Sequence, residues 1–254
     1  MTRHAGCGAA LGLATGALAV VGLRWYATSV FGAGRHGAAL IVGIGDSVPA
    51  GTRSGGTNFL IELGQSLHSE RGHPITVVNF AVPGLTTRWL ARQVRLPGVR
   101  GTVRRADLVV VTIGANDFSQ RILETPERWD AEVARLSRRV GTLLADLRTW
   151  RGGRGRVLVT GYWNVFTDGR RAEPLGESHR VRSDEFTRQV NDALRAVASE
   201  QGAGFVDLYA PFKGTGDRDP SDLLAADGNH PNEAGHAVIA EQIRRQQPPI
   251  KAKG

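Results

Sequence analysis

Apolar positions follow two alternating patterns along most of the chain. Short continuous apolar runs are typical of strands buried on both faces of a parallel sheet. Such runs occur at residues 39–44, 75–82, 108–113, 156–161 and 204–208. Between them, apolar residues recur every three or four positions, as they do on one face of a helix. The alternation predicts a parallel sheet with helices on both of its faces.

The clearest helical pattern lies in the middle of the chain. Its apolar residues step by three or four positions, at Trp129, Val133, Leu136, Val140, Leu143 and Leu147. Thr125 and Pro126 come just before and predict an N-cap followed by the first helical residue. The last helix is expected to begin at Pro231 and to extend past Ile243.

An uncharged run of 19 residues, rich in Ala and Gly, occupies positions 5–23. Arg24, Trp25 and Tyr26 follow it. The run is long for the apolar part of a signal peptide and just long enough to span a bilayer. We therefore expect an exported protein, either secreted or anchored to the outer face of the cytoplasmic membrane. A buried N-terminal helix is the alternative.

The formal net charge is +8, which raises the question of an anionic partner. Nearly all of the positive charge is arginine, scattered along the sequence rather than gathered in one block, so no nucleic-acid partner is predicted. Cys7 is the only cysteine, which excludes an intramolecular disulfide and a Cys-based zinc site. No His and carboxylate set has the spacing of metal ligands, so neither a metal nor a cofactor is expected.

Four polar or Gly-rich clusters lie where ligands bind in open parallel sheets, at the carboxyl ends of strands. They are Gly45-Asp46-Ser47-Val48, Val82-Pro83-Gly84, Gly114-Ala115-Asn116-Asp117 and Asp227-Gly228-Asn229-His230-Pro231. Taken singly, each also has a structural explanation as a helix cap or a turn. In the last cluster, a carboxylate three residues from an imidazole can orient it as a proton acceptor.

Together, the order and spacing of the four clusters resemble the SGNH (GDSL-like) hydrolases, which are named for a Ser, a Gly, an Asn and a His in four sequence blocks. The matching residues are Ser47, Gly84, Asn116 and His230. The resemblance extends over residues 39–243. One departure is Val48, where the family motif has leucine, and this position does not touch the chemistry.

The resemblance implies a flavodoxin-like three-layer α/β/α sandwich with a five-stranded parallel sheet in the order 2-1-3-4-5. The uncharged run, the Gly-rich linker and the extent of the resemblance together predict the domain limits. Residues 1–37 are a signal peptide or membrane anchor with a Gly-rich linker, residues 38–246 the hydrolase domain, and residues 247–254 a tail expected to be disordered.

The same resemblance implies the roles of the site residues. Ser47 is the nucleophile, His230 its base, and Asp227 the residue that orients His230. The Ser47 and Gly84 backbone N–H groups and the Asn116 amide would form the oxyanion hole. His236 is expected one and a half turns into the last helix, where it meets solvent or a neighbouring loop and does not reach Ser47.

Tyr162 and Trp163 follow the fourth predicted strand. They either line the substrate pocket or cap the core, and the sequence does not separate these alternatives.

The predicted function is hydrolysis of a carboxylic ester, such as an O-acetyl sugar, a lipid or a small ester, through an acyl-enzyme. An acyltransferase with the same triad is one alternative. A non-catalytic glycan- or lipid-binding module on the same fold is another, against which the intact Ser47, Asp227 and His230 count.

Overall fold

The computed structural model describes residues 27–32 and 38–246. The predicted signal or anchor segment at positions 5–23, most of the Gly-rich linker and the tail from residue 247 lie outside the described residues. Within the described ranges, no helix combines the length and the apolarity needed to cross a bilayer.

The described residues form one six-stranded sheet. Its strands are β1 (Ala27–Phe31), β2 (Ala39–Gly45), β3 (Ile75–Asn79), β4 (Leu108–Thr112), β5 (Arg156–Thr160) and β6 (Gly204–Val206). Their spatial order is β1-β3-β2-β4-β5-β6, and all neighbours except β1 and β3 are parallel. The five parallel strands have the expected 2-1-3-4-5 order, so the predicted fold is confirmed.

Strand β1 was not predicted. It adds a sixth strand to the sheet, which therefore begins at residue 27, before the predicted domain limit at residue 38. It pairs antiparallel with β3, from Ala27 opposite Asn79 to Phe31 opposite Ile75. Phe31 packs on the core, while Val30 is exposed. This alternation is typical of an edge strand. It is only five residues long and lacks the continuous apolar character by which the other strands were recognised.

Seven α-helices within the described residues cover the sheet: α1 (Phe59–Arg71), α2 (Thr87–Gln93), α3 (Pro97–Arg105), α4 (Trp129–Arg151), α5 (Gly176–Glu200), α6 (Tyr209–Lys213) and α7 (Glu233–Arg245). Helices α2 to α5 pack on one face and α1, α6 and α7 on the other, each around its own apolar cluster. The result is the three-layer sandwich.

Two helices begin later than predicted. A 3₁₀ turn, Pro126–Arg128, precedes α4, and the Thr125 hydroxyl donates to carbonyls behind it instead of capping the helix. Helix α7 begins at Glu233 because Asn232 is its N-cap and accepts from the Gly235 N–H at 2.9 Å. An asparagine oxygen satisfies a free helical N–H, which Pro231 cannot do.

The expected position of His236 was wrong in one respect, because its side chain is fully buried instead of meeting solvent. Its ring stacks on Phe59, with centroids 6.0 Å apart, and its Nδ1 accepts from the Phe59 N–H at 3.3 Å. Helices α1 and α7 pack side by side, and His236 lies between them. Burial, with a smaller contribution from nearby His230, lowers the pKa of His236 from 6.5 to about 4.

We expect His236 to make the fold acid-sensitive. The pKa of His236 is lower in the folded state than in the unfolded state. The free energy of unfolding is therefore at its full value above the unfolded-state pKa and decreases as pH falls toward the folded-state pKa. Between about pH 7 and about pH 4.5 this histidine should account for a loss on the order of 2–3 kcal/mol in the free energy of unfolding.

Urea denaturation of the wild type and of His236→Phe at both pH values measures this loss, because the buried phenyl ring does not titrate. Other titrating groups contribute equally to the two proteins and cancel in the difference. An identical loss of stability on acidification in both proteins would exclude His236 as its source.

Candidate active site

The structure brings Ser47, His230 and Asp227 together at the carboxyl edge of the sheet. Ser47 follows β2, and the other two lie in the loop before α7. The Ser47 Oγ is 2.9 Å from His230 Nε2, and His230 Nδ1 is 2.7 Å from Asp227 Oδ2. Since the carboxylate accepts the proton on Nδ1, Nε2 is left to accept from the serine hydroxyl.

Asp227 is itself fixed by the turn that it begins. Its Oδ1 accepts from the backbone N–H groups of Asn229 and His230, at 3.0 and 3.1 Å. Partial burial raises the pKa of Asp227, but these two N–H groups and the His230 ring outweigh it and hold the pKa below 3.8. Asp227 is therefore a carboxylate at neutral pH.

The loop that carries His230 is held in an extended conformation. The His230 carbonyl accepts from the Ala225 N–H at 2.8 Å, and Leu224 forms an antiparallel bridge with Pro231. A residue before proline is disfavoured in the helical region. His230 therefore stays at the sheet edge while the chain turns into α7.

The nucleophile turn depends on Gly45 and Asp46. Gly45 has a φ of +142°, and a side chain there would collide with the Thr112 carbonyl on neighbouring β4. Asp46 is buried, and its two carboxylate oxygens accept from the Val48 N–H at 3.0 Å and the Tyr162 hydroxyl at 2.8 Å. Burial is the largest influence on the Asp46 carboxyl and raises its pKa to about 6.

The sequence left open whether Tyr162 and Trp163 line a pocket or cap the core, and the structure places both of them in the core and beside the cleft. Both side chains are buried, at 2% and 1% exposure, yet both also border the cleft beside Ser47. The Tyr162 hydroxyl donates to Asp46 and accepts, at 3.4 Å, from the Ala115 N–H next to Asn116. Trp163 stacks on Phe212, with centroids 4.5 Å apart. Contact of either with substrate stays a prediction.

Gly84 and Asn116 lie on adjoining exposed loops. Asn116 Nδ2 donates to the Leu85 carbonyl at 3.1 Å, which leaves its second amide hydrogen for another acceptor. Asp117 links the two loops that carry Gly84 and Asn116, because its carboxylate accepts from the Thr87 N–H at 2.8 Å and the Thr87 hydroxyl at 2.6 Å. Arg139 also contacts this carboxylate, at 3.1 Å.

A cleft of about 190 Å³ opens beside Ser47 and His230. Several of its lining residues were not predicted from the sequence, although they follow β4 and β5 at the same sheet edge: Phe118, Gln120, Asn164, Val165, Phe166 and Thr167. Their position after strand ends was the available signal, but no motif distinguishes them. In the part of the chain that the structure describes, no three His, Cys, Asp or Glu side chains gather as a metal site.

Comparison with known families agrees with this fold. The model of the GDSL-like lipase/acylhydrolase family matches residues 44–238, and the chain belongs to that family. It is accordingly a carboxylic ester hydrolase, as the sequence predicted.

Individual relatives are distant but extend over nearly the whole domain. The chain is 21% identical over 208 residues to the spore germination lipase LipC of Bacillus licheniformis. This match covers 79% of this chain and 92% of LipC. It is similar to the crystal structure of the lipase Lip_vut3 from a goat rumen metagenome, with a TM-score of 0.66 and 21% identity, covering 82% of this chain and 97% of the other.

An acetylxylan esterase from Geobacillus stearothermophilus, solved as a catalytic mutant, is also similar, with a TM-score of 0.60 and 22% identity. The match covers 82% of this chain and 93% of the other. Structural similarity at this level of identity establishes the fold.

We expect Tyr162→Phe to lower kcat by about tenfold or more with little change in KM, because losing one hydroxyl releases both the nucleophile turn and the Asn116 loop. It also leaves the buried Asp46 carboxyl with one donor fewer, so the acidic limb of the pH–rate profile should move to higher pH.

Tyr209→Phe is the matched control. It removes a hydroxyl that donates to Asp184 at 2.6 Å, away from the residues that line the cleft. It should lower thermal stability comparably while preserving kcat. Equal kinetics in the two variants would show that Tyr162 contributes to stability alone.

Proposed function

We propose that the protein is a serine ester hydrolase in which Ser47, His230 and Asp227 act as a catalytic triad. The observation that carries the proposal is the continuous pair of short contacts from Ser47 Oγ through the imidazole to Asp227. Because Asp227 is ionised and fixed by its own turn, it stabilises the imidazolium that forms when His230 takes the serine proton.

In the proposed reaction, Ser47 Oγ attacks the ester carbonyl as its proton passes to His230 Nε2. The tetrahedral intermediate collapses when the carbon–alkoxide bond breaks and His230 protonates the departing alcohol. Water then attacks the acyl-serine carbonyl as His230 Nε2 takes its proton. The second tetrahedral intermediate collapses when the bond to Ser47 Oγ breaks and His230 returns the proton to that oxygen, which releases the acid. The Ser47 and Gly84 N–H groups and the free amide hydrogen of Asn116 are the proposed donors to the oxyanion.

The proposed substrate is an ester of a short acyl group. The cleft is small compared with the roughly 300–1,000 Å³ of typical drug-sized ligand pockets, and buried side chains, Trp163 among them, close its base. A long acyl chain would remain largely in water. Asn116 and Asn229 line the cleft and are exposed, so the proposal places the alcohol part of the ester on their side, where a larger group has room.

Export and membrane anchoring remain part of the proposal. The 19 uncharged residues at positions 5–23 would extend about 28 Å as a helix, close to the roughly 30 Å hydrocarbon thickness of a bilayer. Trp25 and Tyr26 follow this run after Arg24, and tryptophan and tyrosine are enriched at the membrane interface.

Ser47→Ala should reduce hydrolysis of nitrophenyl acetate by several orders of magnitude, because it removes the nucleophile and leaves only the oxyanion donors. A serine-reactive phosphonate should label the wild type at Ser47, as read by peptide mass spectrometry, and should not label the variant. Near wild-type hydrolysis by a folded Ser47→Ala protein would end the assignment.

The two histidines near the carboxyl end of the chain should behave differently. His230→Ala should be nearly inactive, whereas His236→Phe should keep at least a tenth of the wild-type kcat/KM, because His236 is buried against Phe59 and away from the serine. The comparison uses steady-state kinetics, with circular dichroism to establish that both variants are folded. The reverse ranking would move the base to His236.

A further inference from the structure

Strand β1 fixes the edge of the sheet at which the N-terminal segment leaves the domain. Because β1 is antiparallel to β3, its first residue, Ala27, lies opposite Asn79, the last residue of β3. The chain before Ala27 therefore leaves at the carboxyl edge of the parallel strands. This is the edge that carries Ser47 and His230, and we call it the catalytic edge.

The exit point is close to the nucleophile turn. Asn79 donates from Nδ2 to the Pro49 carbonyl at 2.7 Å, and Pro49 is two residues beyond Ser47. Asn79 also accepts from the Ala81 N–H at 3.0 Å, which ties β3 to the turn that leads to Gly84. The N-terminal segment thus leaves the sheet at the same edge as the cleft, two strands away from β2 and the turn that carries Ser47.

Only three residues separate the uncharged run from β1, namely Arg24, Trp25 and Tyr26. The four peptide steps from Leu23 to Ala27 reach about 14 Å at most. Helix α4, which begins near the catalytic edge and ends at the opposite one, has 23 residues and is about 35 Å long. A short tether to an anchor at positions 5–23 therefore favours contact of the catalytic edge, rather than the opposite edge, with the same bilayer.

Exposed apolar side chains also lie on elements that begin at the catalytic edge. Trp89, on α2 shortly after Gly84, is 46% exposed and has the Arg92 guanidinium 4.5 Å from its ring centroid. Leu175, in the loop that follows the cleft residues, is 49% exposed. Tryptophan and arginine are suited to the interface between lipid headgroups and hydrocarbon.

We propose that the anchored protein holds its catalytic edge against the bilayer and acts on an ester whose alcohol part is embedded in that bilayer. This inference rests on the proposed function and its membrane anchor. The short acyl group enters the shallow cleft, while the alcohol remains in the lipid below the exposed loops.

The opposite edge offers a competing way to meet a membrane. Exposed arginines gather there from α3, α4, the loop before β5 and the first position of β5: Arg104, Arg105, Arg148, Arg154 and Arg156. Basic residues near an anionic membrane surface are attracted to it. Docking through these arginines would turn the cleft away from the lipid, so the orientation of the anchored protein distinguishes the two arrangements.

The first experiment measures orientation directly and does not depend on activity. In full-length protein carrying Cys7→Ser, a single cysteine is introduced by Arg88→Cys, at the catalytic edge, or by Arg154→Cys, at the opposite edge. Both positions are exposed and each variant loses one positive charge. Each carries an environment-sensitive fluorophore and is reconstituted into phosphatidylcholine vesicles that contain some phosphatidylglycerol and a headgroup-level quencher lipid.

The label at residue 88 should be quenched at least twofold more than the label at residue 154. Equal quenching, or stronger quenching at residue 154, would overturn the inference. The inference would also be overturned if mass spectrometry of the mature protein showed that positions 5–23 had been removed.

The second experiment tests the substrate class with the full chain. Leu13→Arg combined with Leu18→Arg places two charges in the uncharged run and should prevent its insertion. Hydrolysis of soluble nitrophenyl acetate should be unchanged, whereas hydrolysis of an acetylated diacylglycerol in vesicles should fall at least tenfold.

An unchanged rate on the vesicle ester, with normal activity on nitrophenyl acetate, would overturn the inference and leave the proposed function intact. Absence of nitrophenyl acetate hydrolysis in the wild type would instead reject the proposed function, and the quenching experiment would still decide the orientation.

Discussion

The hydrogen bond between the buried Asp46 carboxyl and the Tyr162 hydroxyl is the contact on which the catalytic edge depends. Burying a carboxyl group is costly unless donors replace its water, and here the Val48 N–H and Tyr162 supply them. Tyr162 follows β5, Asp46 follows β2, and the hydroxyl also meets the Ala115 N–H after β4. One phenol therefore sets the relative positions of three strand ends. The turn that presents Ser47 and the loop that presents Asn116 are held by the same group.

The base reaches the nucleophile from a separate part of the chain. His230 is fixed locally by Asp227 and by the extended residue before Pro231, and its position relative to Ser47 depends on how α7 packs. His236, six residues after His230, lies between α7 and the first turn of α1, where it stacks on Phe59. Helix α1 is the first helix after the Ser47 turn, so this buried histidine joins the helix after the base to the helix after the nucleophile. Protonation of His236 would therefore weaken the packing that aligns the triad as well as the fold.

The sequence predicted the parallel sheet because buried strands are continuous apolar runs, and it predicted the four site clusters because each follows a strand end or precedes a helix. The strand order came only from the family resemblance. Strand β1 was missed because five alternating residues beside a long uncharged run carry no distinct signal. His236 was expected to meet solvent or a neighbouring loop because one and a half turns of helix carry it away from Ser47. Its partner Phe59 is 177 positions away, so nothing in the sequence indicated their contact. The role of Tyr162 was equally beyond reach, since Asp46 is 116 positions away.

The arginines show how a scattered sequence feature becomes a local one in the fold. In a sheet of parallel strands joined by helices, the helices that return from the catalytic edge all end at the opposite edge. Helix C-termini carry partial negative charge, which favours cations in the last turn. Arg104 and Arg105 close α3, and Arg148 and Arg151 close α4. Arg151 is buried and donates at 2.8 Å to the Val103 carbonyl near the end of α3, which also accepts from the Ala106 N–H. Helix termination thus accounts for much of the positive charge at this edge.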